Sequence, residues 1–460
     1  MQRRFFAPCL VLALLMIIFS ACSSSAEATK ESTFRENFGD EESRKALQIC
    51  IDMGKSSNEY DDSYQLTTAF NQFINEVKYA TGMEDVSILF MPGEGAERES
   101  MIDRLRIEIM SGGGPDVFML RAIDDYANYT ESFITFPEKL MENGLFLPLN
   151  EYMENNTRFT DWSKQTQIVL DAGKSDEGQV IIPLTYTLPV LLYPKDEIKL
   201  EPSSGLTMQD VLNDQDTAEI GAVMYSGVSR TEDAGKGAPG WLPHYNHLSS
   251  MFGKLADFES EELLFSEEDL METLDIICSA RDTAKKNKQT HLKGNVGYGL
   301  CYQLDSMDFE EEMAMIPLYS KDGGVTAQIT SYAAVNRNTS YPVEAFTVID
   351  LFMKERMQME NQIYHFCFMP GDDGIPLQEG LCSKEKPFLH VRPERYLDGP
   401  YFEDLCEIKE QITNVNFRNG LNVVLKEVMA DWALEYLVSG TYDKEAVSEA
   451  YAKMERMIGE

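Results

Sequence analysis

The residues best placed to do chemistry follow one short apolar run: Arg121, Asp124, Asp125 and Tyr126 come after Val117–Leu120. That run is too short for a buried helix and suits a buried parallel strand. In an open α/β sheet the carboxyl end of such a strand opens on the ligand crevice, so a guanidinium, two carboxylates and a phenol there are groups that hold a polar ligand. The same two carboxylates equally suit a helix N-cap, where they would accept backbone N–H groups. A second apolar strand, Ala46–Met53, opens on Gly54, Lys55, Ser56, Ser57 and Asn58, again polar residues at a carboxyl end. Catalytic arrangements find no support. His244 and His247 form an HxxH without a neighbouring glutamate motif, and no nucleophile elbow, P-loop or HExxH occurs. Paired carboxylates are frequent in so acidic a chain and carry no glycosidase signal. The chemistry expected is binding, without catalytic residues, metal or cofactor.

The elements that position these groups alternate. Leu66, Phe70, Phe73, Ile74 and Val77 lie on one face of a helix over Tyr64–Tyr79, and Val86–Met91 is a second strand. Ile102, Leu105 and Ile109 step by three and four, so a helix runs up to Gly112-Gly113-Gly114-Pro115, where glycines and a proline end it. Strand, helix, strand, helix, strand describes a doubly wound parallel sheet, α/β in class. Further on, Val180–Leu184 and Val190–Tyr193 read as short strands separated by Thr185, Tyr186 and Thr187. Asp210–Ala284 reads as mostly helical, with a Gly-rich break running into Trp241; a large aromatic in so exposed a loop needs a reason. Val296–Tyr302, Met313–Leu318 and Thr326–Val335 read as strands, and Val343–Met357 as a helix. Leu421–Leu437 and Lys444–Ile458 read as two packed helices around Gly440.

At 460 residues the chain has room for two or more domains, since one core stops growing near ~250–300 residues. Its net charge of −37 repels nucleic acid and anionic headgroups, so both drop out as partners. The start reads as an export signal, residues 1–21: Arg3 and Arg4, then an apolar Phe5–Phe19, then Ser20 and Ala21 before Cys22. This resembles the bacterial lipoprotein signal, in which the cysteine is lipidated, with Phe19 departing from the usual leucine. Residues 22–45 read as a flexible tether, which puts the domains outside the cytoplasm and beside the cell membrane. Cys50, Cys278, Cys301, Cys367, Cys382 and Cys406 are far apart and read as buried small hydrophobes with no assigned pairing.

Seven pieces in order resemble the family 1 extracellular solute-binding proteins, the lipid-anchored receptors of ABC importers related to maltose-binding protein. They are Leu105–Phe118 (LRIEIMSGGGPDVF), Leu145–Tyr152 (LFLPLNEY), Val180–Tyr193 (VIIPLTYTLPVLLY), Ile316–Leu318 with Gly323-Gly324, Ala333–Glu355, Gly374–Leu377 (GIPL), and Leu425–Ile458. The resemblance implies a two-lobe periplasmic-binding-protein-like fold with a hinge and discontinuous lobes. Residues 46–149 with 323–362 would form lobe one, and 150–322 with 363–460 lobe two. It implies a small-molecule solute, a sugar or oligosaccharide, passed to ABC importer permease subunits. A sugar site needs aromatic faces and planar hydrogen-bonding groups. Asp124, Asp125 and Tyr126 would contribute from lobe one, and Thr185, Tyr186, Trp241, Tyr302 and Gln303 from lobe two. Leu120 and Arg121 stand where relatives place an aromatic. The alternatives are the same fold around a polyamine, peptide or metal chelate, and a surface lipoprotein with an enzymatic or adhesive role.

Overall fold

The computed structural model describes residues 46–52, 63–92, 95–123, 133–194, 245–275, 295–298, 313–317, 319–360, 375–378 and 406–459. The first half is as the hydrophobic periodicity predicts. Strand β1 (Leu47–Asp52), helix α1 (Ser63–Thr81), β2 (Val86–Phe90), α2 (Gly95–Met110) and β3 (Val117–Arg121) follow one another. β1 pairs in parallel with β2 on one side and β3 on the other. Helix α2 ends where the glycines allow it: Gly112 (φ 82°) and Gly114 (φ 93°) adopt the left-handed conformation that side chains resist. Asn336 Nδ2 then donates to the Gly113 and Pro115 carbonyls, each at 2.9 Å, fixing the turn into β3. Asp116 anchors the strand's start, accepting Gln48 N–H at 2.8 Å and the Thr339 hydroxyl at 2.6 Å. Burial pushes its carboxyl above the ordinary range, and those two hydrogen bonds pull it back.

After β3 come α3 (Pro137–Glu142), α4 (Asn150–Asn155) and α5 (Gln167–Asp171), then the small hairpin β4 (Lys174–Ser175) and β5 (Gly178–Gln179). Strand β6 (Ile181–Thr187) follows, and only Leu188 separates it from β7 (Pro189–Pro194). The sequence reading broke the strand at Thr185–Thr187. The structure continues through all three, because neighbouring hydroxyls satisfy Thr185. Gly173 receives the chain returning from β5: its carbonyl accepts the N–H groups of Val180 and Ile181, each at 3.0 Å. A Cβ on Gly173 would overlap the Ile181 carbonyl oxygen, a backbone atom that cannot swing aside. Gly173→Ala is therefore expected to destabilise the protein by about 1–3 kcal/mol. A urea midpoint equal to that of the parent would contradict this.

The later chain is built from α6 (Tyr245–Met251), the hairpin β8 (Ala256–Asp257) and β9 (Glu262–Leu263), a helical stretch over 267–275, β10 (Asn295–Tyr298) and β11 (Met313–Pro317). The hairpin adds a short β element to a region expected to be mostly helical. Next are β12 (Val325–Val335), α7 (Pro342–Phe352), α8 (Glu355–Glu360), β13 (Ile375–Pro376), β14 (Ile412–Phe417), α9 (Gly420–Ser439) and α10 (Lys444–Gly459). The single helix expected over 343–357 is two, interrupted at Met353 and Lys354. Gly440 (φ 75°) turns α9 into α10, which packs back on it.

Two sheets share continuous chain. The larger runs β13-β6-β12-β3-β1-β2, with β14 also on β12. The smaller is β10-β7-β11, antiparallel throughout. Thus the ribbon 181–194 serves the larger sheet as β6 and the smaller as β7, passing between them at Leu188. β12 divides similarly: Val325–Ile329 pair in parallel with β14, and Ser331–Val335 pair antiparallel with β3 and β6. The core lies behind these strands, where Phe118 meets Phe133 and Phe146 with ring centroids 6.2 and 6.1 Å apart. Phe73 meets Phe352 at 5.6 Å across the helix layer. The two-lobed α/β architecture with crossing strands is the fold class expected.

Candidate functional site

The strands of lobe one end in charge. Asp52 closes β1 and is 3% exposed; Arg98, in the first turn of α2, is 5% exposed. The guanidinium grips the carboxylate with both arms, Nη1 to Oδ1 at 3.0 Å and Nη2 to Oδ2 at 2.8 Å. Nη1 also donates to the Pro92 carbonyl at 2.7 Å, in the turn leaving β2. One side chain therefore ties together the carboxyl ends of two neighbouring strands, where an open α/β sheet places its ligand loops. A fork geometry of this kind fixes orientation as well as distance. Cys50, two residues before Asp52, is wholly buried, and burial pushes its thiol far above the usual range, so it offers no thiolate nucleophile.

The crossing strands meet the end of β3 in a knot of hydroxyls. Ser331 of β12 is opposite Arg121 on one side and opposite Thr185 on the other. Thr185 Oγ1 lies 2.6 Å from Thr330 Oγ1 and 2.5 Å from Ser331 Oγ. A hydroxyl has one proton to give, so at least one of these partners donates into Thr185. The register between β6 and β12 slips here, between Ser331 and Tyr332, and such bulges re-aim side chains beside functional sites. Ala122 N–H, just past β3, donates to the Thr330 carbonyl at 2.8 Å. The Thr187 hydroxyl is buried at the last position before the crossing and has no hydrogen-bond partner among the described residues.

A second polar layer joins β12 to two helices. Gln328 of β12 donates to Ser249 Oγ of α6 at 2.9 Å, and Asn422 of α9 donates to Ser249 Oγ at 3.2 Å and to Gln328 Oε1 at 3.1 Å. Arg418 N–H donates to the Ile329 carbonyl at 3.2 Å, holding the exit of β14 to the crossing. Burying Gln328, Ser249 and Asn422 is tolerated because they partner one another, and that satisfaction fixes one geometry beside the crossing.

Of the residues expected to meet ligand, the structure places Thr185 and Tyr186, both fully buried in β6. Thr185 belongs to the hydroxyl knot; Tyr186 pairs through its backbone with Ile375 of β13. Asp124, Asp125, Tyr126, Trp241, Tyr302 and Gln303 lie outside the described residues, as do Cys22, His244 and the tether. Trp162 is partly buried against Phe346 at 6.3 Å and donates Nε1–H to Thr157 at 2.9 Å. Sequence reasoning missed Asp52, Arg98, Thr330, Ser331, Gln328 and Asn422. An acid closing an otherwise apolar strand, LQICID, was the available signal for the first of them. Cys406 is exposed, unlike the buried cysteine expected there. Among the described residues no group of histidine, cysteine and carboxylate side chains is arranged to hold a metal ion. Among the same residues no helix is long and apolar enough to cross a membrane.

No family model and no curated protein matches the chain. Solved structures do. One is an extracellular solute-binding protein family 1 member from Alicyclobacillus acidocaldarius, at 11% identity over 90% of this chain and 98% of that one, TM-score 0.54. Another is a cyclic alpha-maltosyl-1,6-maltose binding protein from Arthrobacter globiformis, at 13% identity over 90% and 98%, TM-score 0.51. The likeness establishes the fold, two α/β lobes joined by crossing strands.

Proposed function

We propose that this chain is an extracytoplasmic substrate-binding protein, lipid-anchored to the bacterial cell membrane through Cys22, which captures an oligosaccharide between its lobes and delivers it to ABC importer permease subunits. The observation that carries this reading is the pair of crossings at Leu188 and Thr330, the second beside the carboxyl end of β3. A ligand held there touches both lobes, so it binds the closed arrangement better than the open one and draws the lobes together. The nature of the solute is supported by the same fold in the cyclic alpha-maltosyl-1,6-maltose binding protein. Residues 46–149 with 323–362 form lobe one in this proposal, and 150–322 with 363–460 lobe two, with β12 itself spanning both.

Asp124, Asp125 and Tyr126, which follow β3 in the sequence, supply the lobe-one contacts in this proposal. Trp241 and Tyr302 offer faces for the C–H side of sugar rings, and Gln303 an amide for paired hydroxyls. Thr185 and Tyr186, buried in β6 just before the crossing, complete the lobe-two set in this proposal. Titration calorimetry against mono- and oligosaccharides tests the reading. Saturable one-site binding of an oligosaccharide, weakened by Trp241→Ala, is expected. Silence across the whole panel would remove the sugar from the proposal.

A further inference from the structure

The segment Thr135–Lys139, which leads into α3, packs across the lobe boundary. On its own side it is flanked by Phe133 and Phe146, both against Phe118 of β3. On the other it meets the helices of lobe two. Gly420 N–H, at the start of α9, donates to the Thr135 carbonyl at 3.0 Å. A Cβ on Gly420 would lie 2.7 Å from Phe136 and 2.8 Å from Met457, so glycine is what lets the two surfaces touch. Lys139 Nζ reaches the Met457 carbonyl of α10 at 2.9 Å, and the Phe136 ring lies 5.7 Å from Phe258.

Glu138 sits inside this contact. Its Oε1 accepts Asn419 Nδ2–H at 2.9 Å, while Oε2 is sealed from solvent with no hydrogen-bond partner among the described residues. The residue as a whole is half-buried, so its stem reaches solvent and its carboxyl does not. Asn419 passes the contact onward, donating its N–H to Asn422 Oδ1 at 3.0 Å, and Asn422 holds Gln328 of β12 at 3.1 Å. Gln328 is two residues from the crossing at Thr330. A hydrogen-bonded chain thus runs from α3 in lobe one to the strand about which the lobes turn. The charged and titratable groups around Glu138 are few. Lys254 faces it from lobe two, and the buried Tyr332 faces it from β12. Glu142 lies one turn along α3 amid Asp176, Asp257 and Glu259; Lys139 is turned to Met457, and Arg418 is buried beside Asn419 in the chain.

We infer that the contact between α3 and α9 is a proton-dependent latch, closed when Glu138 is protonated and loosened when it is charged. A neutral carboxyl can be sealed there, whereas a carboxylate in the same place is a buried charge whose Oε2 has no hydrogen-bond partner among the described residues. Burial pushes the Glu138 carboxyl up to about 7, against the pull of its own backbone N–H, of Asn419, of Lys254 and of the Phe417 backbone N–H. In the loosened contact water restores the ordinary carboxylate value, so latching takes up a proton. Its strength is full below the ordinary carboxylate pKa, falls as pH rises to about 7, and is level above that. The inference goes beyond the transport reading and needs no sugar, so it stands or falls separately.

Hydrogen–deuterium exchange on the full chain without ligand tests it, with the Gly420 amide as reporter because it bonds across the boundary. After correction for intrinsic exchange, protection around Gly420 is expected to fall about fortyfold between about pH 5 and pH 7, with a slope that stays below tenfold per unit for one linked proton. Glu138→Gln is expected to hold the high protection at every pH. Lys254→Gln, an exposed change that leaves the carboxyl in place, is expected to move the midpoint to higher pH. A flat profile in the unsubstituted protein overturns the inference whether or not Glu138→Gln folds. So does an unchanged slope in Glu138→Gln or an unmoved midpoint in Lys254→Gln.

Discussion

Arg98→Ala is expected to destabilise the protein by about 3–5 kcal/mol, because it takes from a buried carboxylate, Asp52, the charged partner that grips both its oxygens. The side chains of this pair are 7% and 4% exposed, and the two parallel contacts between them are 2.8 and 3.0 Å long. Exposed ion pairs behave differently: Lys453–Glu427, half open to solvent on both sides, is worth ~0–1 kcal/mol and its loss will scarcely register. The damage from Arg98→Ala also reaches the cleft, since the same guanidinium holds the Pro92 carbonyl and so the turn after β2. Denaturant unfolding measures the first effect, and ligand titration on the fraction that folds measures the second. Replacing both partners by apolar residues, Asp52→Leu with Arg98→Met, is expected to recover most of the stability without recovering ligand affinity. A loss below about 1 kcal/mol in the single variant would mean that Asp52 finds water or another donor.

Asp350→Ala is expected to be comparably damaging, at about 3 kcal/mol or more. Asp350 lies in α7 with no solvent exposure, and its carboxylate is the acceptor for three successive backbone N–H groups. Oδ2 accepts Arg158 at 2.7 Å and Phe159 at 3.1 Å, and Oδ1 accepts Thr160 at 3.0 Å. The Thr160 hydroxyl returns a bond to the Asp350 carbonyl at 2.6 Å, so the segment after α4 is clamped to α7 at four points. Alanine leaves those amides without their acceptor, whereas Asp350→Asn keeps one oxygen and is expected to cost less than half as much as alanine. Equal urea midpoints for the two variants would contradict the clamp. The consequence for function is indirect. Helix α7 also carries Phe346 and Phe352, which pack behind the larger sheet, so a loosened α7 softens the platform under β12.

The parallel half of lobe one was legible because its burial follows simple periods. β1 and β3 are short apolar runs, and α1 shows its core face at steps of three and four. β14 was not legible. ITNVNF alternates asparagine with apolar residues and has the look of a surface loop, yet it pairs in parallel with β12 and buries Asn416 against Gly253 and Leu255. Only a partner 87 residues away in the chain, Val325 to Ile412, makes it a strand. Thr185–Thr187 were misread for a related reason. Hydroxyls look like a break until Thr330 and Ser331 are brought beside them. The candidate site was half legible: the carboxyl ends of β1 and β3 were located by pattern, but the Arg98 clamp and the Glu138–Asn419 contact join residues 46 and 281 positions apart. No local period encodes such pairs.

The measurement that bears most directly on the proposed role is small-angle X-ray scattering from the protein, alone and saturated with the oligosaccharide that calorimetry selects. Crossings at Leu188 and Thr330 leave the lobes free to turn about two strands, and a ligand bound to both is expected to lower the radius of gyration and sharpen the distance distribution. Identical scattering with the sugar site saturated would contradict closure, and with it the proposal that the cleft between the lobes is where this protein holds its ligand.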